Sequence, residues 1–348
     1  MQLTIPKGMR TIFLLLVLNC CPHIGESQMR EVAPLFQSEE TLEIKFSIAL
    51  SDVEKAREDS VYFPTTLHFK DPAGQWDSIH VSMRARGNFR RKYCSLPPLR
   101  IKINKANRGQ SIFAGTKSLK LVLPCHTTKN DDDLILREYI CYQLCEPTTP
   151  YVFATRMVKI TLVDGSGKNI KTYNLSGFFI EDDDAVAKRL QAKVVDVDKL
   201  HPQLLNDTCS IRNDIFQYMI GNTDFSTTFF HNTKVIKTDN GRYIPIPYDF
   251  DMSGFVNAPY ATMDPNLNIS SVRERIYRGF CRNDKVAQLV RLEYITLEPK
   301  ILEVVNRYQD VLEPKQYAWL KRYLGDFFST IKDDKSYRQK IAVACRTR

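Results

Sequence analysis

Three carboxylates lie within a short stretch of the sequence, in a pattern suited to work on phosphate groups. Asp224 lies in a polar loop after an apolar run, and Asp249 and Asp251 end an apolar, aromatic run, all within 28 residues. Phosphoryl transfer needs one carboxylate that orients or deprotonates the attacking hydroxyl, and hard oxygen ligands that hold Mg²⁺ on the nucleotide phosphates. The pattern predicts that Asp224 comes together with Asp249 and Asp251 at one site that could supply such groups. The alternative is that Asp224 caps a turn and that the other two are solvated at a strand end.

A helix and a hairpin must bring these acids together. An apolar helical stripe precedes the loop, and two strand-like runs follow it, joined by Asp239-Asn240-Gly241, where Asn240 and Gly241 both tolerate positive φ. If these two residues form the turn, Asn232 faces Asp249, and opposed Cβ atoms lie about 5 Å apart on one sheet face. If the turn lies one residue earlier, Pro247 faces Asn232 instead.

The runs Ile220-Gly221-Asn222-Thr223-Asp224 and Tyr248-Asp249-Phe250-Asp251, with Asn232 between them, resemble the CotH-type atypical kinase family, named for a spore-coat protein. They are also similar to the wider group of protein-kinase-like phosphotransferases. The resemblance implies that Asp224 is the catalytic Asp, that Asn232 and Asp249 hold the metal, and that Asp251 assists. Those families usually place the Asn five residues after the Asp, whereas position 229 here is Phe229 and the Asn comes three residues later. This departure leaves open a catalytically inactive relative.

Basic residues upstream are candidates for holding phosphate. The segment from Arg84 to Lys92 carries five basic side chains around Gly87-Asn88, a turn whose backbone N–H groups could also face phosphate oxygens. An Arg-Gly-Asn turn such as the one at Arg86 recurs in CotH-type chains, which implies a ligand-binding role for Arg86. A solvated basic turn is the alternative.

The resemblance also implies a lysine–glutamate pair that holds the nucleotide phosphates. Lys120 with Glu138 is the candidate, Lys102 is the reserve, and unrelated surface charges are the alternative. Glu181 ends a predicted hairpin at the point where a kinase-like fold joins its lobes and stacks the adenine. The acidic run 182–184 that follows predicts a helix N-terminus rather than a metal site.

The element pattern predicts an α+β protein. Alternating apolar residues predict strands over 42–50, 99–104 and 118–123, with hairpin turns at 71–74 and 164–167. A helix begins near Asn130, and residues 283–345 read as helices with breaks near Pro299 and Pro314. Strands dominate the first part and helices the last. The resemblance implies a two-lobed protein-kinase-like fold, with a mainly antiparallel sheet N-lobe at 28–180 and a helical C-lobe at 181–348.

The cysteines predict one disulfide. Cys94 precedes the strand at 99–104 and Cys125 follows the strand at 118–123, so antiparallel pairing brings both to the same end of the sheet. The odd number of seven cysteines after residue 27 leaves at least one free. Cys141 and Cys145, four apart on a predicted helix with no nearby His, do not predict zinc.

The N-terminus reads as a secretory signal over 1–27, with basic residues before a short apolar run. This predicts export to the periplasm, the cell surface or the medium, with a lipid anchor at Cys20 or Cys21 as the alternative. No later apolar run reaches membrane length. Removal of 1–27 leaves a net charge of +8, which fits an anionic partner or plain solubility. No motif for nucleic acid is present.

With the predicted secretory signal, the resemblance implies an exported kinase that uses ATP and Mg²⁺ to phosphorylate a hydroxyl of a protein or a small molecule. Two alternatives remain: an inactive kinase-like surface or binding protein, and a metal-dependent hydrolase that uses the same acids.

Overall fold

The computed structural model describes residues 31–56, 61–87, 89–107, 109, 111–127 and 129–347. The predicted signal peptide over 1–27 and Asn88 of the basic turn lie outside the described residues.

Seven strands of the described chain close into a barrel in the order β1-β2-β3-β4-β5-β7-β6. They are β1 Leu42–Ile48, β2 Phe63–Lys70, β3 Trp76–Ala85, β4 Leu99–Ile103, β5 Ser118–Val122, β6 Thr155–Asp164 and β7 Lys171–Ile180. The strands predicted at 42–50, 99–104 and 118–123 are confirmed as β1, β4 and β5. The hairpin turns predicted at 71–74 and 164–167 are confirmed as the β2–β3 and β6–β7 connections.

The barrel closes through a parallel pair. β1 runs parallel to β6 from Leu42 beside Val158 to Ile48 beside Asp164, while the other strand pairs of the barrel are antiparallel. The expected two-lobed protein-kinase-like fold, with a mainly antiparallel N-lobe sheet, is therefore wrong, because the sheet is a closed mixed barrel. Alternation along β1 reports which face is buried, but it carries no information about a partner strand more than a hundred residues away.

Alternation along β4 and β5 separates the barrel interior from its outer face. Leu99, Ile101 and Leu121 are fully buried in the barrel core. Arg100 and Lys120 lie at the intervening positions and so point outward. The outer face of these two strands therefore presents cations to the elements packed against it.

A second sheet and the helices form the rest of the described chain. The sheet has the order β10-β9-β8, with β8 Ala192–Val194, β9 Thr233–Thr238 and β10 Tyr243–Pro247. The helices are α1 Leu50–Lys55, α2 Arg90–Tyr93, α3 Lys129–Cys145, α4 Asp183–Arg189, α5 Asp207–Ile220, α6 Asp284–Asn306, α7 Pro314–Lys332 and α8 Asp334–Tyr337. The break predicted near Pro299 is wrong, because α6 continues through it.

The described residues form two large apolar cores and a small third cluster of Leu200, Leu205 and Val235. One large core fills the barrel. The other packs α3, α5, α6 and α7 together and includes Phe178 and Ile180 from the outer face of β7. The predicted boundary at residue 180 stays a prediction.

Two disulfides link cysteines within the described residues. Cys94–Cys125 is confirmed, with a Cα–Cα distance of 4.6 Å, and Cys281–Cys345 joins the C-terminal segment to the residues before α6. Disulfides fit a protein exported to an oxidising compartment. Among the described helices, none is both long and apolar enough to cross a membrane.

Candidate functional site

A pocket of about 420 Å³ lies between the outer face of the barrel, the start of α4 and the β9–β10 hairpin. Most of the predicted site residues line it: Arg86, Lys120, Asp224, Asn232, Asp249 and Asp251. Glu138 and Glu181 do not belong to its lining. The pocket thus joins residues that are up to 165 positions apart in the sequence.

The end of α5 sets the position of Asp224. The helix stops at Gly221, which has φ +63°, and a Cβ there would lie 2.1 Å from the Tyr323 hydroxyl, so both conformation and space require glycine. The Asp224 backbone N–H then donates to the Asn222 side chain at 3.0 Å, and the Asn222 amide donates to Gln217 at 2.9 Å. The loop that carries the carboxylate is therefore anchored to the helix that precedes it.

Two neighbours hold the Asp224 carboxylate. His231 Nε2 lies 2.8 Å from Asp224 Oδ1, and Asn232 Nδ2 donates to Oδ2 at 2.9 Å and to the Asp224 carbonyl at 2.7 Å. The hydrogen bond with Asp224 raises the pKa of His231, although partial burial opposes the shift. The Asp224 side chain remains 39% exposed, so the oriented carboxylate is open to the pocket. Sequence reasoning missed His231, although it directly precedes Asn232.

The β9–β10 hairpin differs from its prediction by one residue. Thr238 pairs across the turn with Arg242, and Gly241 takes φ +80° at the end of a three-residue loop over 239–241. A three-residue loop that ends in a left-handed glycine is a common hairpin connection. The hairpin predicted at Asp239-Asn240-Gly241 is therefore confirmed, whereas the register based on a two-residue turn at Asn240-Gly241 is wrong.

As a consequence, Asn232 does not lie directly opposite Asp249. The strand register pairs Pro247 with Thr233, and the Tyr248 N–H donates to the Asn232 carbonyl at 3.3 Å. Asn232 and Asp249 both adopt left-handed conformations, with φ of +45° and +63°, just beyond the ends of their strands. Both still line the pocket. The Asn232 amide nitrogen is used by Asp224, which leaves its oxygen for another partner.

Two buried acids share one arginine: Asp251 and Arg90 line the pocket, and Glu138 lies outside its lining. Arg90 Nη1 lies 3.6 Å from Glu138 Oε2, and Arg90 Nε lies 4.0 Å from Asp251 Oδ2. Burial, followed by the charge of Asp249, raises the pKa of Asp251 to about 6. Burial, followed by the charge of Asp251, raises the pKa of Glu138. Both carboxyl groups therefore hold their protons more tightly than a solvated acid does, although Arg90 opposes the shift in each pKa.

The predicted pair between Lys120 and Glu138 is not formed. Lys120 forms an ion pair with Asp183 instead, and Lys234 Nζ lies 3.2 Å from the other oxygen of Asp183. Burial lowers the pKa of Lys120 to about 8, although Asp183 opposes the shift. Burial alone would raise the pKa of Asp183, but Lys120 and Lys234 outweigh it and lower that pKa to about 2. The lysine is thus charged at neutral pH and has a partner that a phosphate could replace.

Glu181 has a structural role. It accepts two hydrogen bonds from Arg189, at 2.9 and 3.2 Å, and one from the Ala154 N–H at 3.2 Å, and it is 3% exposed. The neighbouring Asp182 accepts a hydrogen bond from the Asp184 N–H as the N-cap of α4, which confirms the predicted helix N-terminus. Sequence reasoning missed that Asp183, in the same acidic run, faces Lys120.

The donor set at the pocket fits a hard divalent cation. Asp224, Asn232 and Asp249 offer carboxylate and amide oxygens, and a cation would oppose the burial and the charge of Asp249 that together raise the pKa of Asp251. Within the described residues, no three His, Cys, Asp or Glu side chains are grouped closely enough to hold a metal by themselves. Mg²⁺ is commonly held by one or two carboxylates together with substrate phosphates, so such a group is not required.

Comparisons with protein-family models and with curated proteins found no match to this chain.

Proposed function

We propose that this protein is a Mg²⁺-dependent phosphotransferase that moves the γ-phosphoryl group of ATP to a hydroxyl of a protein or a small molecule. One observation carries the proposal: a single pocket contains an oriented, accessible carboxylate, further oxygen donors and buried cations. The resemblance of the motifs around Asp224 and Asp249 to those of CotH-type kinases supports the same chemistry. The barrel fold does not itself support a phosphotransferase function.

Asp224 acts on the acceptor. His231 and Asn232 fix its carboxylate, and each carboxylate oxygen keeps a lone pair that can accept the proton of an incoming hydroxyl. As the hydroxyl oxygen bonds to the γ-phosphorus, its proton passes to Asp224. The bond from the γ-phosphorus to the bridging oxygen breaks, and ADP leaves with that electron pair. General-base assistance of this kind contributes about 10²–10⁴-fold to a rate.

Cations from three elements face the phosphates. Arg86 follows β3, Lys120 lies on β5 and Lys234 lies on β9, and all three line the pocket. A phosphate that reaches Lys120 takes the place of Asp183. Asn232 and Asp249 would hold Mg²⁺, which when bound neutralises charge on the phosphate oxygens.

A second candidate is a non-catalytic exported binding protein. It is favoured by the ion pair between Lys120 and Asp183, because a lysine that already has a carboxylate partner offers less to a nucleotide. The third candidate, a metal-dependent hydrolase, would use the same acids without nucleotide.

Calorimetry with ATP, in the presence and absence of Mg²⁺, combined with an assay for ADP formation, separates the three candidates. The proposal expects Mg²⁺-dependent ATP binding and turnover. Absence of nucleotide binding favours the binding protein, and metal binding without nucleotide preference favours the hydrolase.

The variant Asp224→Asn tests the role of the carboxylate. We expect it to lower turnover by about 10²–10⁴-fold while Mg·ATP affinity stays within a few-fold, because the lost interaction is with the acceptor in the transition state. Asp198→Asn, an exposed loop Asp outside the pocket, is the matched control. Wild-type turnover in the Asp224 variant would remove this residue from the mechanism.

A further inference from the structure

A groove of about 850 Å³ lies on the outer face of the barrel beside the candidate site. Its floor is formed by β2, β3, β4 and β5, and α4 contributes one wall. Arg100 lines both this groove and the pocket that holds Asp224. The two concave surfaces are therefore continuous.

The strand register shows how the groove continues from the site. Two neighbouring rows of outward-facing residues cross β3, β4 and β5: Arg84, Arg100 and Lys120, then Ser82, Lys102 and Ser118. The first row lines the pocket and the second lines the groove. Residues two apart on a strand lie about 7 Å apart on the same face. A chain lying across the second row would thus reach the site within a few residues.

The groove carries an excess of positive charge. Lys102, Lys105, Lys117 and Lys188 line it and are exposed, and among the described residues none of them has a carboxylate within 4.0 Å. Lys102 lies over the ring of Tyr62, 4.0 Å from its centroid, which leaves its charge accessible. These four ammonium groups therefore give the groove next to the site positive charge that no carboxylate of the described residues neutralises.

Two carboxylates from the start of α4 also line the groove. Asp182 is paired with Arg100, whereas Asp184 is exposed. Thr65 and Thr66 on β2 also line the groove; Thr65 Oγ1 donates to the Ser47 carbonyl at 2.6 Å, and Thr66 Oγ1 lies 3.4 Å from His80 Nδ1. A chain with a uniform series of sulfates or phosphates would meet Asp184, whereas a peptide can place carboxylates on the lysines and amide groups on the hydroxyls and Asp184.

We propose that the groove binds an acidic segment of a protein acceptor, next to the hydroxyl that is phosphorylated. That the bound protein is the phosphate acceptor rests on the proposed phosphotransferase function. Binding of the acidic segment itself can be measured without catalysis. The groove then determines which hydroxyls reach Asp224, because acidic neighbours raise the local concentration of the acceptor at the site.

The test uses the full chain and a fluorescein-labelled peptide that has one serine flanked by glutamates. Its matched control peptide has glutamine in place of every glutamate. The groove variant combines Lys105→Glu, Lys117→Glu and Lys188→Glu. The matched control protein combines Lys45→Glu, Lys159→Glu and Lys171→Glu, which are exposed on β1, β6 and β7 and lie outside the groove lining.

Fluorescence anisotropy should show that the glutamate peptide binds more tightly than the glutamine peptide. The groove variant should raise its Kd about tenfold or more, since each exposed charge pair contributes about 1.4- to 5-fold and three are reversed. The control variant should not. The difference in Kd between the groove variant and the wild-type protein should shrink toward 1 M salt, where the screening length is about 3 Å.

Equal binding of the two peptides, or equal Kd values for the two protein variants, would overturn the proposal. So would binding of a heparin fragment through the same lysines without binding of the peptide. If the peptide binds through the groove but no ADP forms, the phosphotransferase function fails and the groove assignment stands. If ADP forms and the groove variant leaves the KM for the acidic peptide unchanged, the groove assignment fails alone.

Discussion

The ion pair between Asp183 and Lys120 provides a quantitative test of the electrostatics at the site. Replacing Asp183 with Asn keeps the shape of the side chain but leaves Lys120, which is 4% exposed at its side chain, without its carboxylate. Lys234 loses the same partner. We expect the free energy of unfolding to fall by about 2–3 kcal/mol at neutral pH.

The magnitude follows from the pKa of Asp183, which folding lowers from 3.8 to about 2. The difference between these two pKa values corresponds to about 2.4 kcal/mol. Removing one partner of a buried ion pair can cost about 3–5 kcal/mol. Here the cost is limited, because burial already lowers the pKa of Lys120 to about 8, so the lysine can release its proton near neutral pH.

The stability that the Asp183 carboxylate contributes depends on pH. A carboxyl whose pKa is lower in the folded state contributes its full stability above the unfolded pKa, and that contribution is lost as the pH falls. The difference between wild type and Asp183→Asn should therefore shrink between about pH 4 and pH 2.

Urea unfolding of the two proteins over this pH range measures the difference. The matched control is Asp184→Asn, since Asp184 is in the same first turn of α4 and shares any helix-dipole effect, but is exposed. If Asp183→Asn is no more destabilising than Asp184→Asn at neutral pH, the ion pair does not stabilise the site and the reasoning is refuted.

Two further predictions concern stability away from the site. Removing the Cys94–Cys125 disulfide with paired serine substitutions should lower the free energy of unfolding by about 3.7 kcal/mol in the chain-entropy model for a separation of 31 residues, and an unchanged urea midpoint would contradict this. Burial raises the pKa of Asp214 from 3.8 to about 6, so wild type loses stability as the pH rises from about 4 to 6. Asp214→Asn should remove that loss and be up to about 3 kcal/mol more stable at neutral pH, and parallel pH profiles in urea unfolding would speak against it.

Local patterns predicted the elements better than their arrangement. Alternation identified β1, β4 and β5 because inward and outward residues of a half-buried strand differ in polarity, and the flanking positions of Cys94 and Cys125 predicted their disulfide. Barrel closure was missed, because the parallel pairing of β1 with β6 depends on backbone hydrogen bonds between distant segments. Such bonds leave no mark on either local sequence.

The candidate site shows the same division. Asp224 follows a helix, and Asp249 and Asp251 follow an apolar strand; these acids were predicted to come together, and they line one pocket, because the ends of their elements meet there. Charge partners were not predictable in this way. Arg90, rather than Lys120, lies beside Glu138, and Asp183 lies beside Lys120, because each pairing depends on how α2 and α4 pack on the barrel.

If the proposed function is right, these ion pairs explain why the nucleotide and Mg²⁺ should bind as one complex. Lys120 is paired with Asp183, the Asp224 carboxylate with the His231 ring, and Glu138 with Arg90. An uncompensated buried charge costs several kcal/mol, so the unliganded protein pairs its charges internally. A phosphate alone would displace Asp183 from Lys120 and leave that carboxylate with Lys234 as its partner, whereas Mg²⁺ alone would add positive charge to a pocket that already holds Lys120 and Lys234. A Mg²⁺–nucleotide complex brings both signs at once, and it is the ligand that can exchange partners with both halves of the pocket.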